Sequence, residues 1–252
     1  MTDLHGKIAL VTGSSRGIGA EIARHFARCR ASVALHGRDA AALEAVRGEI
    51  ERAGGKTIAL TGDVTRFADI ERMRAEIERA LGTVDILVAN AGGNLARPGP
   101  IEATDEQAWR ATVDTNLTAT FLTIKSFLPG MKERKSGCII TLSSAAARRP
   151  HHQSPIGYAA AKAGIQILTQ DVAAQAGPFG IRVNCIAPET ILTERNLEQI
   201  PREQQQMLID THPIHRLGTP EDVARAAAFL ASNESSWITG IVLDVAGGSV
   251  MR

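Results

Sequence analysis

Short apolar runs rich in Val, Ile, Leu and Ala alternate along the chain with stretches in which apolar residues recur every three or four positions. The first pattern is that of strands covered on both faces, the second that of helices with one buried stripe. Strand candidates are Ile8 to Val11, Val33 to His36, Thr57 to Leu60, Ile86 to Ala89, Cys138 to Leu142, Arg182 to Ala187 and Ile241 to Val245. Between them Ile18, Ile22 and Phe26, then Leu43, Val46 and Ile50, then Ile70, Met73 and Ile77 mark helix faces. The alternation predicts an α/β chain: a doubly wound parallel sheet of about seven strands with helices on both faces. Thr219, followed by Pro220, Glu221 and Asp222, reads as a helix start with an N-cap, a first-position proline and acids in the first turn. One stretch departs from the rhythm. Residues 189–215 are polar, Gln-rich and punctuated by Pro201 and Pro213, with only a weak helical pattern. A long excursion after a strand's carboxyl end is where such folds place a substrate lid, so 189–215 is expected to be one, within a single domain spanning 1–252.

Composition narrows the function classes. With 44% hydrophobic and 22% charged residues in 252, there is material for a core and no case for disorder. Lys plus Arg is 28 against 27 for Asp plus Glu, a net +1 that gives no field for nucleic acid, and no nucleic-acid partner is expected. No apolar stretch approaches the roughly 18 residues that a bilayer demands, which sets membrane and secretory readings aside in favour of a cytoplasmic one. Cys29, Cys138 and Cys185 lack any CxxC or disulfide-framework spacing and read as buried small hydrophobes in a reducing compartment. The pairs His151/His152 and His212/His215 have no third ligand at a recognisable spacing, so no metal is expected.

Two clusters carry chemistry. Thr12-Gly13-Ser14-Ser15-Arg16-Gly17-Ile18-Gly19 follows the first strand and opens the first helix. Glycines there allow positive φ and close approach of a pyrophosphate, while the helix N-terminus offers free N–H groups and a positive dipole end. Tyr158, the only tyrosine, stands four residues before Lys162 on one helix, so phenol and ammonium share a face. A neighbouring cation favours phenolate, and a phenol so lowered becomes a usable proton shuttle for an alcohol or carbonyl.

With these motifs the chain resembles the short-chain dehydrogenase/reductase family along essentially its whole length. Asp63-Val64, Asn90-Ala91-Gly92, Asn116, Ser144, Pro188 with Thr193, Gly218-Thr-Pro-Glu-Asp-Val223 and Thr239-Gly240 complete the order. The resemblance implies a Rossmann fold and hydride transfer between a nicotinamide cofactor and a small-molecule carbonyl or secondary alcohol. Tyr158 would be the general acid/base, Lys162 would lower its pKa and hold the ribose, and Ser144 would hydrogen-bond the substrate oxygen. Asn116 would bind a water linking Lys162 to solvent. Cofactor contacts are implied for Gly13, Ser15, Arg16, Gly17, Ile18, Gly19, Arg38, Asp63, Val64, Asn90, Ala91, Gly92, Tyr158, Lys162, Pro188, Ile191 and Thr193. At the end of the second strand, NAD-dependent members carry an Asp; here Gly37 precedes Arg38, so NADP(H) is favoured over NAD(H). Asp39 reads as an N-cap for the helix that follows.

The resemblance also implies a homotetramer or homodimer. A 3-oxoacyl thioester reductase is the commonest role for such sequences, yet Phe179 stands before Gly180, where carrier-protein reductases often have a basic residue. The competing class is a non-catalytic nucleotide sensor, against which Asn116, Ser144, Tyr158 and Lys162 together weigh. Ala89, Ala246 and Glu189 depart from the family pattern. Glu189 stands where a glycine usually follows Pro188. A carboxylate facing the pocket there favours a hydroxylated or cationic substrate, or pairs with His151, His152 or Arg195; facing solvent it is neutral. Substrate contacts are therefore expected from Ser144, His151 and Glu189.

Overall fold

Seven parallel strands form one sheet in the order β3-β2-β1-β4-β5-β6-β7. They are β1 Ile8–Val11, β2 Ser32–Gly37, β3 Thr57–Thr61, β4 Ile86–Ala89, β5 Gly137–Leu142, β6 Ile181–Pro188 and β7 Val242–Val245. The computed structural model describes residues 2–94, 96–150 and 154–251. The helices are α1 Gly17–Arg28, α2 Ala40–Arg52, α3 Phe67–Ala80, α4 Glu106–Val113, α5 Ala119–Arg134, α6 Ile156–Ala176, α7 Glu194–Gln199, α8 Arg202–Asp210 and α9 Pro220–Ala231.

Successive strand residues face opposite sides, so each strand feeds two cores. Ala9, Val11, Val33, Leu35, Val88 and Ile140 pack with Phe26 of α1, Val46 of α2 and Ala227 of α9. Leu10, Ala34, Leu87, Ile139 and Val183 pack on the other face with Met73 of α3, Phe127 of α5 and Val172 of α6. This two-sided burial is why the strands read as continuous apolar runs rather than alternating ones. The chain order reverses between β1 and β4, and the loops after the strands' carboxyl ends open a crevice there.

Two local features position the site. Between α4 and α5 the backbone widens into a single π-helical stretch, Asp114–Thr118, that carries Asn116. After β6, residues 189–215 hold more helix than their pattern suggests. Thr193 caps α7 by accepting from the Asn196 N–H at 3.3 Å, and Pro201 directly precedes α8. Helix α8 has no fully buried residue, so it leaves little apolar periodicity to read. Thr219 and Asp222 form the expected capping box at α9. Among the described residues, no helix is long and apolar enough to cross a membrane.

Candidate active site

The Gly-rich turn is held from three sides. Asn90 donates its side-chain amide to the carbonyls of Thr12 and Gly13 at 2.9 and 3.1 Å, and the Asn90 and Ala91 N–H groups both donate to Thr12 Oγ1 at 3.0 Å. Packing leaves no room for a side chain at Gly19, where a Cβ would lie 2.3 Å from the Gly13 carbonyl oxygen. Gly13 itself has φ +67, a conformation that favours glycine. Arg16, the α1 N-cap residue, supplies no side-chain capping bond, so the first-turn amides have no side-chain cap.

The third support was not foreseen from sequence. His36, at the end of β2 and only 2% exposed, accepts from the Gly13 N–H through Nδ1 at 3.2 Å and meets the Gly62 carbonyl through Nε2 at 3.2 Å. An acceptor at Nδ1 and a donor at Nε2 is one neutral tautomer. Burial pushes the imidazole below its ordinary pKa, with Gly62, Asp63 and Asp69 opposing and Arg38 assisting. The only sequence signal is a polar ring closing an otherwise apolar strand.

Two adjoining clefts of about 670 and 680 Å³ open over the carboxyl ends and share Gly13, Ser15, Arg16 and Gly92. The first is lined also by Gly17, Ile18, Gly19, Asn90, Tyr158, Lys162, Pro188 and Thr193. The second is lined by Gly37, Arg38, Asp63, Val64 and Ala91. Asp39 does two jobs there: Oδ1 accepts from the Ala42 N–H to cap α2, and Oδ2 pairs with Arg16 at 2.6 Å. Arg16 is thus engaged, whereas Arg38 is exposed at the cleft. Ile191 lies elsewhere: it is 3% exposed, packs against Gly218, and its carbonyl accepts from Thr193 N–H and Asn196 Nδ2. Its side chain therefore belongs to the core rather than to either cleft.

The reacting end gathers on α6 and the β5 loop. Lys162 is buried, donates Nζ to the Leu142 carbonyl at 2.8 Å, and lies 5.5 Å from the centre of the Tyr158 ring. Burial brings its pKa down to about 8. The phenol, however, is not driven toward phenolate. Burial raises the Tyr158 pKa, the Ser144 side chain opposes this, and the Glu189 carboxylate adds to it. The expected lowering by Lys162 is absent because its pKa, down at about 8, leaves it neutral in the range above 10 where this phenol titrates. Of the two serines, Ser143 is buried, donating to the Lys162 carbonyl at 2.8 Å and accepting from Gln166 at 2.9 Å, so Ser144 is the one beside the phenol. Asn116 is fully buried in its π turn. It accepts from the Gly93 N–H at 3.0 Å and donates to the carbonyls of Gly93 and Thr112 at 3.0 and 2.8 Å, which locks the loop after β4 to the α4–α5 junction. His151 and His152 lie outside the described residues.

A family model described as "Enoyl-(Acyl carrier protein) reductase" matches residues 13–249. The chain belongs to the short-chain dehydrogenase/reductase family. It is 36% identical to glucose 1-dehydrogenase 2 of Bacillus subtilis (strain 168), covering 99% of this chain and 96% of that protein. It is 37% identical to 7alpha-hydroxysteroid dehydrogenase of Escherichia coli (strain K12), at 99% and 96% coverage. Among solved structures, a 7 alpha-hydroxysteroid dehydrogenase complexed with NADH and 7-oxo glycochenodeoxycholic acid superposes with a TM-score of 0.93 at 37% identity, covering 100% of this chain and 97% of that one. A 3-oxoacyl-[acyl-carrier protein] reductase with bound NAD from Brucella melitensis gives 0.91 at 34% identity, covering 100% and 94%. Short-chain dehydrogenase/reductase relatives thus include proteins named for sugars, steroids and acyl thioesters, and the family alone does not choose between them.

Proposed function

We propose that this chain is an NADP(H)-dependent oxidoreductase that interconverts a carbonyl and a secondary alcohol, with Tyr158 as general acid/base. The observation that carries this is the convergence of Tyr158, Lys162 and the uncapped Gly-rich turn on one cleft. The residues fit a dinucleotide: the first turn of α1 would receive its pyrophosphate, and Arg38, beside the side-chain-free Gly37, a 2′-phosphate. When bound, the cofactor supplies or accepts the hydride. Tyr158, kept protonated by its raised pKa, is in the form that donates a proton to a carbonyl oxygen; in the reverse direction it takes the proton back. Ser144, beside the phenol, holds the same oxygen, and the buried Lys162 presents a cation next to both. Residues 189–215 serve in this reading as the lid over the substrate. A homotetramer or homodimer and a cytoplasmic setting belong to the same reading; exposed Phe121 on α5 and Ile167 on α6 support self-association. A panel of ketones with NADPH and NADH, and of alcohols with the oxidised forms, followed at the cofactor absorbance, tests it. Consumption of NADPH by at least one ketone, faster than of NADH, is expected; no turnover across the panel, with cofactor still bound, would establish the nucleotide sensor instead.

A further inference from the structure

The loop that carries Ser144 leaves the sheet at Ser143, whose N–H makes a last bond to the Ile186 carbonyl of β6 at 2.8 Å. It then forms a single 3₁₀ turn, Ala145–Ala147, in which the Ala147 N–H donates to the Ser144 carbonyl at 3.0 Å and the Arg148 N–H to the Ala145 carbonyl at 2.9 Å. One such turn has little stability of its own, and three alanines bring no polar side chain to fasten it. Arg148 fastens it from the far end. Its guanidinium reaches past β6, which lies between β5 and β7, to Asp244 of β7, with Nε donating to Oδ1 at 3.0 Å and Nη2 to Oδ2 at 2.8 Å. Two parallel bonds fix direction as well as distance, and at 18% and 15% exposure both side chains are shielded from the water that weakens surface pairs.

The turn sets the direction of the Ser144 hydroxyl. Ser144 Oγ accepts from the Ala146 N–H at 3.2 Å, so the oxygen is tied to the turn and its own O–H is left to donate, with the Tyr158 phenol beside it. A hydroxyl released from that N–H would turn to any acceptor within reach. We infer that Arg148 and Asp244 are positioning residues of the active site: their fork holds the 144–148 turn so that the Ser144 O–H faces the phenol and the substrate oxygen. They act through Ser144 and not on the reacting atoms. The inference deepens the proposed reading and rests on it for the role of Ser144 toward substrate, but its test reads the phenol itself rather than turnover.

Tyr158 is the only tyrosine in the chain, so phenolate absorbance during an alkaline titration reports on it alone. An O–H donated by Ser144 favours phenolate, and Ser144→Ala should raise the titration midpoint by about one pH unit or more. Asp244→Ala should raise it by a comparable amount, although removal of a carboxylate by itself would lower it. Combining Asp244→Ala with Ser144→Ala should leave the midpoint no higher than Ser144→Ala alone, because a residue that acts through Ser144 then has nothing left to act on. Asp244→Asn, which keeps the shape of the side chain, is read in the same way if circular dichroism shows that Asp244→Ala unfolds before the phenol ionises. A midpoint unchanged or lowered in the Asp244 variants, or no rise in Ser144→Ala, would overturn the inference. So would a rise that persists in the Ser144→Ala background, which would reach the phenol instead through Glu189, whose N–H is bonded to the Val245 carbonyl next to Asp244. A rise that depends on Ser144 in a protein that reduces no ketone would uphold the positioning while removing the oxidoreductase reading.

Discussion

His36→Leu removes both ring contacts that tie the Gly-rich turn to the ends of β2 and β3, the Gly13 N–H at 3.2 Å and the Gly62 carbonyl at 3.2 Å. Leaving a buried donor unmatched costs about 1–3 kcal/mol. If the turn relaxes to satisfy Gly13 elsewhere, that cost returns when cofactor demands the native turn, and NADPH binding weakens about 5- to 150-fold. Two further variants separate the contacts. His36→Asn keeps an acceptor near the Nδ1 position and should retain most NADPH affinity. His36→Gln places its amide nitrogen near Nε2, so it should protect the tie to β3 without rescuing the cofactor. Acidification supplies an independent arm. Because burial holds the folded-state pKa below the ordinary 6.5, the neutral ring contributes fully above pH 6.5, and that contribution is lost as pH falls through the folded value. Protonation puts a hydrogen on Nδ1 against the Gly13 N–H, so NADPH affinity of the parent should fall in that window while that of His36→Asn stays flatter. Fluorescence titration of NADPH against pH measures both. Leu binding within twofold of the parent, or Asn as weak as Leu, would refute the reasoning.

Tyr158→Phe should lower kcat about 10²- to 10⁴-fold while holding the NADPH Kd within a few-fold, measured by steady-state kinetics and titration, because only the hydroxyl is removed. Gly37→Asp combined with Arg38→Ser should shift preference from NADPH toward NADH by about tenfold or more in the ratio of kcat/KM, although a Cβ at Gly37 meets Ser15 at 3.2 Å and a small loss of Tm is expected with it. Lys162→Met should abolish turnover yet raise the Tm of the cofactor-free protein at pH 7. Burial lowers the Lys162 pKa from 10.5 to about 8, so the folded state carries a penalty for the ammonium below pH 8 that is relieved as pH rises toward 10.5. Removing it returns up to roughly 3 kcal/mol, less the lost bond to Leu142; a lower Tm at pH 7 would show that the bond outweighs desolvation.

The sheet was legible because burial on both faces writes its strands as apolar runs, and β1 and β4 begin and end where those runs do. The Gly-rich turn and the Tyr158–Lys162 pair were legible for a similar reason: each is local in sequence. What the chain did not disclose depends on contacts between distant segments. The i, i+4 spacing puts Lys162 on the face of Tyr158, but only the tertiary fold shows the Leu142 carbonyl taking the ammonium and Glu189 raising the phenol. Asp39 reads from sequence as the cap that it is, but its pairing with Arg16 appears only in the fold. Glu189 is conspicuous after Pro188, whereas nothing near His36 in the chain announces its hold on Gly13 and Gly62. Helices α7 and α8 escaped notice because helices that bury little carry little periodicity.

The π stretch at Asp114–Thr118 makes the length of the α4–α5 rod a functional quantity. Such a turn holds one residue more than an α-helix of the same rise needs, and each residue turns a helix by about 100°. Deleting one residue there would let the backbone close into an unbroken α-helix, an outcome favourable to the helix itself. With α5 still seated by Ile124, Phe127 and Met131 in its core, the rotation would fall on α4 and on Asn116, whose grip on Gly93 fixes the loop after β4. Selection at this junction therefore acts on a count as well as on identities: a shortened gene product could melt later than its parent and still have lost the alignment on which its site depends.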